Sequence, residues 1–282
     1  MAHPIVSISI PFFEEPHIFA TLASIKSQSL KNFICLINDD FSEIKFSHEI
    51  QKVISGDSRF IYTRSPSNQG GWANQKYCID FHKNISNTKY SFELGHHDLI
   101  SENYLESCIN FLESHSDYSS CTGTMMGFVD SPATAEPRNR QNYDFFSSRG
   151  IEAFLLSVAS LTDCTIYNSV YRTEILRLVP HIDAIETPMV RSDHHLISLR
   201  AAAGKTMVLD STNYLRRDFI ADTRKSFVER QSNSISTLQL NANFILGYIK
   251  LLEDLFIGKL NKDELLEARG LIFDCLLKRF AS

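Results

Sequence analysis

The sequence predicts an α/β fold with a mostly parallel sheet, and three observations lead to that prediction. Short β-rich apolar runs alternate with amphipathic helical patterns as far as Leu112. The connections between these segments are short and contain Gly, Asn, Asp and Pro. From Ser226 onward, in contrast, the apolar residues recur only at helical spacing. We therefore expect βαβ units with right-handed crossovers, followed by a helical extension.

The individual elements follow from apolar spacing and from turn residues. Pro11 is expected to end the first strand, and Pro16 to begin the first helix. Asn261 and Glu264 are spaced as a capping box before a final helix. The expected strands are 5–10, 33–37, 59–63, 90–94, 162–172 and 206–209, with a last strand at Tyr214-Leu-Arg-Arg. The expected helices are 16–25, 43–55, 72–83, 102–112 and 192–203, and residues 130–150 are expected to form a long surface loop.

Length and composition indicate one sizeable core with an appendage. The chain has 282 residues, of which 43% are hydrophobic. We expect a catalytic-type domain over residues 1–225 and a helical extension over residues 226–282. The net charge of −5 argues against a nucleic-acid partner, which usually requires a basic surface.

The cysteines and the hydropathy indicate a cytoplasmic chain. The six cysteines form no CxxC pair and lie mostly in apolar runs, so we expect buried reduced thiols. No signal-like N-terminus and no apolar run of about 18 residues is present, so no transmembrane segment is expected. The C-terminal helices lack a basic stripe. We expect them to pack or to form a homodimer, with peripheral attachment at the inner membrane face as the alternative.

Two polar clusters follow predicted strands two and three. Asp39 and Asp40 could bind a base, a ribose or a cation, or serve only as a turn. The segment containing Asn68, Gly70 and Gly71 could bring backbone N–H groups to a phosphate, or be a plain turn. Because ligands bind at the carboxyl ends of parallel strands, both clusters are candidate site residues.

Two histidine-containing clusters occur later in the chain. His97 and Asp98 follow strand four and offer an imidazole and a carboxylate to a divalent ion. The alternative is a helix cap with exposed histidines. Asp193 begins a predicted helix and is either a cap or a general base.

Several segments together resemble family-2 glycosyltransferases. Residues 6–15 are similar to the family's opening strand and loop, and residues 24–33 to its first helix and the exit from it. Asn38-Asp39-Asp40-Phe-Ser42 resembles "vDDgS", and Asn68-Gln-Gly-Gly71 resembles "NlGg". Residues 98–105 resemble "DDilspnyL", and the segment from Asp193 to Lys205 resembles "eD…lR…G". The order and spacing of these motifs cover about residues 5–217 and make the resemblance specific.

The resemblance implies a GT-A fold, which is a Rossmann-like sheet flanked by helices, and an inverting transfer from a nucleotide-diphosphate sugar. UDP-sugars are the usual donors, and the acceptor would be a glycan or lipid-linked hydroxyl in bacterial surface polysaccharide synthesis. Asp193 would be the catalytic base. The resemblance places the following residues at the donor: Pro11, Phe13, Glu15, Asp39, Asp40, Asn68, Gly70, Gly71 and His97, with Arg216 and Arg217 as candidates to offset the diphosphate charge or, alternatively, to form surface ion pairs.

The family's metal motif is altered in this sequence. Gly95 and His97 replace two of its acidic residues, which leaves Asp98 as the carboxylate. Asp98 and His97 would therefore hold the Mn²⁺ or Mg²⁺ ion, with Mn²⁺ favoured by the imidazole. The alteration motivates an alternative function, a non-catalytic GT-A-like module that binds a sugar nucleotide or a glycan. A nucleotidyltransferase is a further alternative, but no Gly-rich, Lys-containing segment follows strand one.

Overall fold

The computed structural model describes residues 3–138, 143–160, 165–178, 192–218 and 237–281. The chain divides into two compact units. The first comprises Met1–Arg140, Asn168–Arg177 and Met207–Arg217, and the second comprises Gln141–Tyr167, Leu178–Thr206 and Asp218–Ser282. The expected boundary between residues 225 and 226 lies outside the described residues and stays a prediction.

The first unit contains the sheet and the helices that alternate with its first strands. The strands are β1 (Val6–Phe12), β2 (Phe33–Asp39), β3 (Phe60–Arg64), β4 (Tyr90–Glu93), β5 (Leu99–Ile100), β6 (Tyr118–Phe128), β7 (Glu136–Pro137), β8 (Val170–Arg172) and β9 (Lys205–Arg217), the last of which belongs to this unit from Met207. The helices are α1 (Ile18–Lys26), α2 (Ile44–Ile54), α3 (Gly71–Asp80) and α4 (Tyr104–Ser114), and α3 continues into a π-helical turn, Phe81–Ile85.

The strand order is β3-β2-β1-β4-β8-β6-β9-β5, with β7 paired to β6. Strands β3, β2, β1 and β4 are parallel, as the βαβ pattern predicts. Strand β8 pairs antiparallel with both β4 and β6, and β5 pairs antiparallel with β9. The α/β prediction with a parallel sheet is confirmed, and the antiparallel strands extend that sheet on one side.

Strand β1 lies at the centre of the parallel part and is buried on both faces. Ile8 and Ile10 have no exposed surface and pack in the main apolar core. Ser7 and Ser9 alternate with them and are equally buried. Their hydroxyl oxygens lie 2.7 and 2.8 Å from the two ring nitrogens of the fully buried His82. His82 therefore satisfies the polar groups of this strand, which would otherwise be costly to bury.

Strand β1 continues through Pro11, whereas the sequence predicts that Pro11 ends it. Pairing between β1 and β4 stops at Ser9, so the missing N–H of Pro11 removes no ladder hydrogen bond on that side. The carbonyl of Pro11 instead accepts a hydrogen bond from His96 Nδ1 at 2.9 Å. The proline thus remains in the strand and reaches the candidate site.

Other elements differ from the prediction in length or were not predicted. Strand β9 is one continuous strand of 13 residues, whereas the sequence predicts two short strands, 206–209 and one at Tyr214-Leu-Arg-Arg. Strand β6 is not expected from sequence, because its Ser, Thr and Gly residues dilute the apolar pattern. The predicted strand 162–172 is wrong as a continuous strand: Thr165–Tyr167 is a 3₁₀ turn and only Val170–Arg172 is extended. Residues 161–164 lie outside the described residues.

The described part of the second unit is helical. It contains α5 (Gly150–Ser160), α6 (Ser192–Ala203), α7 (Thr237–Phe256) and α8 (Lys262–Ala281). Phe154 of α5 packs against Tyr248 and Phe256 of α7, with ring centroids 6.1 and 5.9 Å apart. Thus the C-terminal helices share one apolar core with α5, a helix that the sequence analysis did not predict.

The capping box that begins α8 is confirmed. The backbone N–H of Glu264 donates to Asn261 Oδ1 at 3.0 Å, and the backbone N–H of Asn261 donates to Glu264 Oε2 at 2.8 Å. No helix among the described residues has the length and apolar content needed to cross a bilayer. The described cysteines are free thiols, of which Cys35, Cys78, Cys108 and Cys121 are buried and Cys275 is partly exposed; Cys164 lies outside the described residues.

Two glycines provide opposite tests of backbone packing. A Cβ at Gly123 in β6 would lie 2.5 Å from the backbone oxygen of Thr212, whereas a Cβ at Gly270 in α8 would meet open space. Gly123→Ala should lower the free energy of unfolding by about 3 kcal/mol through overpacking. Gly270→Ala should raise it by about 1 kcal/mol through helix propensity. Urea unfolding measures both changes, and equal effects of the two substitutions would contradict this description of the sheet.

A buried histidine should make the second unit sensitive to acid. His195 of α6 is 2% exposed and lies 4.3 Å from the Tyr248 ring, and burial lowers its pKa to about 4. In the unfolded chain, the imidazole of His195 binds a proton near pH 6.5. Between pH 6.5 and pH 4, therefore, His195 becomes positively charged in the unfolded state but stays neutral in the folded state. Stability should fall in that range by up to about 1.4 kcal/mol per pH unit.

The measurement is urea unfolding at pH 7.5 and at pH 5. His195→Gln should reduce the difference in unfolding free energy between the two pH values, because the titrating group is gone. The exposed His115 provides the control substitution, His115→Gln. An equal pH dependence of wild type and His195→Gln would show that His195 is not the acid-sensitive group.

Candidate active site

Polar residues collect at one edge of the parallel sheet. Strands β3, β2, β1 and β4 are parallel neighbours, so the loops that follow them lie side by side at their carboxyl ends. This is the edge at which α/β sheets bind ligands. The loops contribute Phe13 and Glu15 after β1, Asp40 after β2, Asn68, Gly70 and Gly71 after β3, and His97 and Asp98 after β4.

Asp39 ends β2 and has no exposed surface. Its Oδ1 accepts the backbone N–H of Ser42 at 2.8 Å, and its Oδ2 accepts the Tyr62 hydroxyl at 2.5 Å. Arg64 Nε lies 3.7 Å from the same Oδ2. Asp39 therefore forms the local turn that the sequence analysis gave as its alternative, and it also holds β2 to β3.

Asp40 fixes the backbone of the glycine-containing loop after β3. The carboxylate is 2% exposed, and it accepts the backbone N–H groups of Gln69 at 2.7 Å and Gly70 at 2.8 Å. Gly70 has a φ of +87°, which a residue with a side chain adopts only with strain, and it directly precedes the first residue of α3, Gly71. Asp40 thereby fixes the loop that positions Asn68, and Asn68 lines the cleft described in the next paragraph.

A cleft of about 470 Å³ lies between the loops after β1, β2 and β3. Phe41 is 44% exposed at this cleft, and its backbone has a φ of +67°, a strained conformation for a bulky residue. The guanidinium of Arg64 lies 4.4 Å from the centroid of the Phe41 ring. The cleft is lined by Phe13, Glu14, Phe41, Ser42, Glu43, Ile44, Arg64 and Asn68.

Asp98 joins the loop after β4 to the end of β9. It is 3% exposed, its Oδ2 accepts the Tyr214 hydroxyl at 2.6 Å, and its Oδ1 accepts the backbone N–H of Arg217 at 2.9 Å. Burial raises the pKa of Asp98, although these two hydrogen bonds oppose the increase. A Cβ at Gly95 would lie 2.6 Å from Asp98 Oδ2, so the bound position of this carboxylate requires glycine there.

Glu15, His96 and His97 converge beside Asp98. One possible ligand atom from each of the three side chains lies within 4.8 Å of those of the other two. Burial lowers the pKa of both histidines to about 4, so both rings are neutral near pH 7. Burial raises the pKa of Glu15, but hydrogen bonds from His17 outweigh this effect and the net shift is downward.

The two arginines at the end of β9 differ in their surroundings. Arg217 is 7% exposed, donates from Nη1 to the carbonyl of Val129 at 3.0 Å and stacks on Phe128 at 4.6 Å. Arg216 is partly exposed, and its charge contributes to lowering the pKa of both His97 and Asp98. Arg217 thus stabilises the fold, and Arg216 is the cation nearer to solvent.

Sequence comparison identifies the family of this chain. The family described as glycosyl transferase family 2 matches residues 7–179, which is more than half of the 282 residues. The chain belongs to glycosyl transferase family 2. Among the curated proteins, none matches this chain.

Solved structures show the same GT-A fold. S. aureus TarS 1-349 in complex with UDP-GlcNAc has a TM-score of 0.62 at 14% identity, over 96% of this chain and 72% of that one. TarS 1-349 in complex with UDP has a TM-score of 0.55 at 14% identity, over 96% of this chain and 88% of that one. A longer S. aureus TarS chain matches with a TM-score of 0.56 at 14% identity, and this chain covers 54% of it. At this identity the likeness shows the fold alone.

Six residues that line the cleft are not among the site residues expected from sequence: Glu14, Phe41, Ser42, Glu43, Ile44 and Arg64. A positive φ at Glu14 and at Phe41 has no clear sequence signal, because neither residue is glycine or asparagine. Phe41 occupies the glycine position of the family's "vDDgS" motif, and that departure is the signal that could have identified it.

Asp193 is in the first turn of α6, in the second unit, and its Oδ1 lies 3.1 Å from the backbone nitrogen of His194. Its role as base stays a prediction.

The role of Asp40 as an anchor for the loop can be tested without ligand. Asp40→Ala leaves the N–H groups of Gln69 and Gly70 without their acceptor and should lower the free energy of unfolding by about 1–3 kcal/mol. Asp40→Asn retains one acceptor oxygen and should cost less. Urea unfolding of the ligand-free protein measures both effects. Wild-type stability of Asp40→Ala would mean that Asp40 acts only on a bound ligand.

Proposed function

We propose that this family-2 glycosyltransferase transfers a sugar from a UDP-sugar to a hydroxyl acceptor in bacterial surface glycan synthesis. The observation that carries the proposal is the arrangement of a cleft and polar loops at the carboxyl ends of β3, β2, β1 and β4, in a chain of this family. The structures of TarS with UDP and with UDP-GlcNAc support a uridine nucleotide donor.

The cleft beside Phe41 suits the nucleoside part of the donor. An exposed aromatic ring offers a base a stacking surface, and such stacking contributes about 1–3 kcal/mol per base. Arg64 holds the Phe41 ring from one side, and Asn68 offers an amide to ribose or base. Asp39 and Asp40 support this proposal as anchors of the two flanking loops, because their oxygens bind protein donors.

The proposed reaction is an inverting displacement. Asp193 accepts the proton of the acceptor hydroxyl, whose oxygen forms a bond to the anomeric carbon as the bond from that carbon to the diphosphate oxygen breaks. Positive charge near the diphosphate stabilises the leaving group. Arg216 is the candidate for that role, because it is more exposed than Arg217 and its positive charge acts on His97 and Asp98.

The second candidate function is a module that binds a nucleotide sugar without transfer. Each oxygen of Asp98, the carboxylate that remains in the altered metal motif, already accepts a hydrogen bond from the protein. If the protein binds UDP but turns over no UDP-sugar with any divalent metal ion tested, that result would favour this function over a transferase.

The transferase is tested by donor hydrolysis and donor binding measured together. Asp193→Asn should lower the rate of UDP-sugar hydrolysis by about 10²–10⁴-fold and leave the Kd for UDP unchanged, because the base acts on the nucleophile. Phe41→Ala should raise the Kd for UDP by about 10-fold, since it removes the stacking surface. Calorimetry measures the Kd, and released UDP measures the rate.

Matched controls are available in each unit. Glu267→Gln removes an exposed carboxylate of α8, and Ile85→Ala removes an apolar side chain that is 58% exposed. Both should leave binding and hydrolysis at wild-type values. Wild-type hydrolysis by Asp193→Asn would refute the role of the base, and a wild-type Kd for Phe41→Ala would refute the stacking role.

A further inference from the structure

The divalent cation that the family implies does not fit the residue pair expected from sequence, His97 and Asp98. The carboxylate of Asp98 is buried and binds Tyr214 and the backbone of Arg217. Turning it toward an ion would leave these donors without their acceptor, which is costly in a buried position. The position of Gly95 offers no second carboxylate. The residues of the altered motif therefore do not form an open carboxylate site.

A different set of donors meets at the same edge of the sheet. Among the described residues, Glu15, His96 and His97 each offer one potential ligand atom, and these three atoms lie within 4.8 Å of one another. Glu15 comes from the loop after β1, and the histidines come from the loop after β4, its neighbour in the sheet. Ligands bound at about 2.1 Å in tetrahedral geometry lie about 3.4 Å apart, so shifts of about 1 Å would close the site.

Two of these side chains have the supporting contacts that metal ligands usually have. His96 Nδ1 donates to the carbonyl of Pro11 at 2.9 Å, which leaves Nε2 as the ring nitrogen with the lone pair. His17 donates to Glu15 Oε1 from its backbone N–H at 3.0 Å and from Nδ1 at 2.5 Å. These contacts fix the ring and the carboxylate and leave Oε2 of Glu15 for a ligand.

We propose that Glu15, His96 and His97 bind one divalent transition-metal ion. Two imidazoles and one carboxylate are the ligand set of Zn²⁺, Mn²⁺ and Co²⁺ sites, and they bind the harder Mg²⁺ poorly. Three protein ligands leave at least one coordination position open, as in catalytic rather than structural metal sites. If the proposed function holds, the ion would offset the diphosphate charge, but the binding of the ion does not depend on that function.

The experiment measures metal binding without any donor. Untagged protein is dialysed against chelator and titrated with CoCl₂, and the visible absorption of bound Co²⁺ gives the stoichiometry and the Kd. Wild type should bind one ion per chain. His96→Ala, His97→Ala and Glu15→Gln should each raise the Kd by at least about 10-fold. Glu15→Gln changes only one oxygen on a partly exposed side chain, so it tests the site even where a histidine variant fails to fold.

Two control variants distinguish this site from the expected one. His48→Ala removes an exposed histidine of α2 and should bind Co²⁺ as wild type does. Asp98→Asn alters a carboxylate 3.6 Å from His97 Nε2, and it should raise the Kd for Co²⁺ less than Glu15→Gln does, because Asp98 is not in the proposed ligand set. Loss of binding in Asp98→Asn together with unchanged binding in Glu15→Gln would overturn the proposal, as would wild-type binding in all three ligand variants. Because no nucleotide is present, failure here is separate from failure of the sugar-transfer proposal.

Discussion

A carboxylate that is buried away from water must find hydrogen-bond donors, and the site of this protein is built around three such groups. Asp39, Asp40 and Asp98 are each at most 3% exposed. Without partners, each would cost several kcal/mol or lose its charge. The donors come from neighbouring strands and loops, so the requirement of charge compensation fixes the loops after β2, β3 and β4 relative to the sheet.

This constraint separates residues that hold the site from residues that face a ligand. Asp40 organises the loop containing Gly70, and Asp98 holds the end of β9. The ring of Phe41 is exposed at the cleft, and the Glu15–His96–His97 cluster is half-buried beside Asp98. In the proposed function, the aromatic ring binds the base and the cluster lies at the metal end of the donor.

The loops that carry the expected site residues meet at one edge of the sheet, but the sequence does not give the protein groups that their carboxylates contact. The glycines, aspartates and histidines that follow predicted strands all lie at one edge of the sheet, as the parallel βαβ pattern requires. Which atoms the carboxylates contact depends on Tyr62, Tyr214 and Arg217, and two of these lie more than 100 residues along the chain from Asp98. Local pattern carries no information about such contacts.

The sequence by itself determined the α/β fold, the parallel direction of the strands in the first half of the chain, the capping box of α8 and the glycosyltransferase family. These depend on hydrophobic period, turn residues and motif spacing, which are local properties of the chain. The tertiary structure alone decided that β9 reaches Asp98, that Pro11 stays in its strand and that Glu15 meets His96 and His97. These outcomes depend on strand pairing and on compensation of buried charge between distant segments, and no local pattern specifies either one.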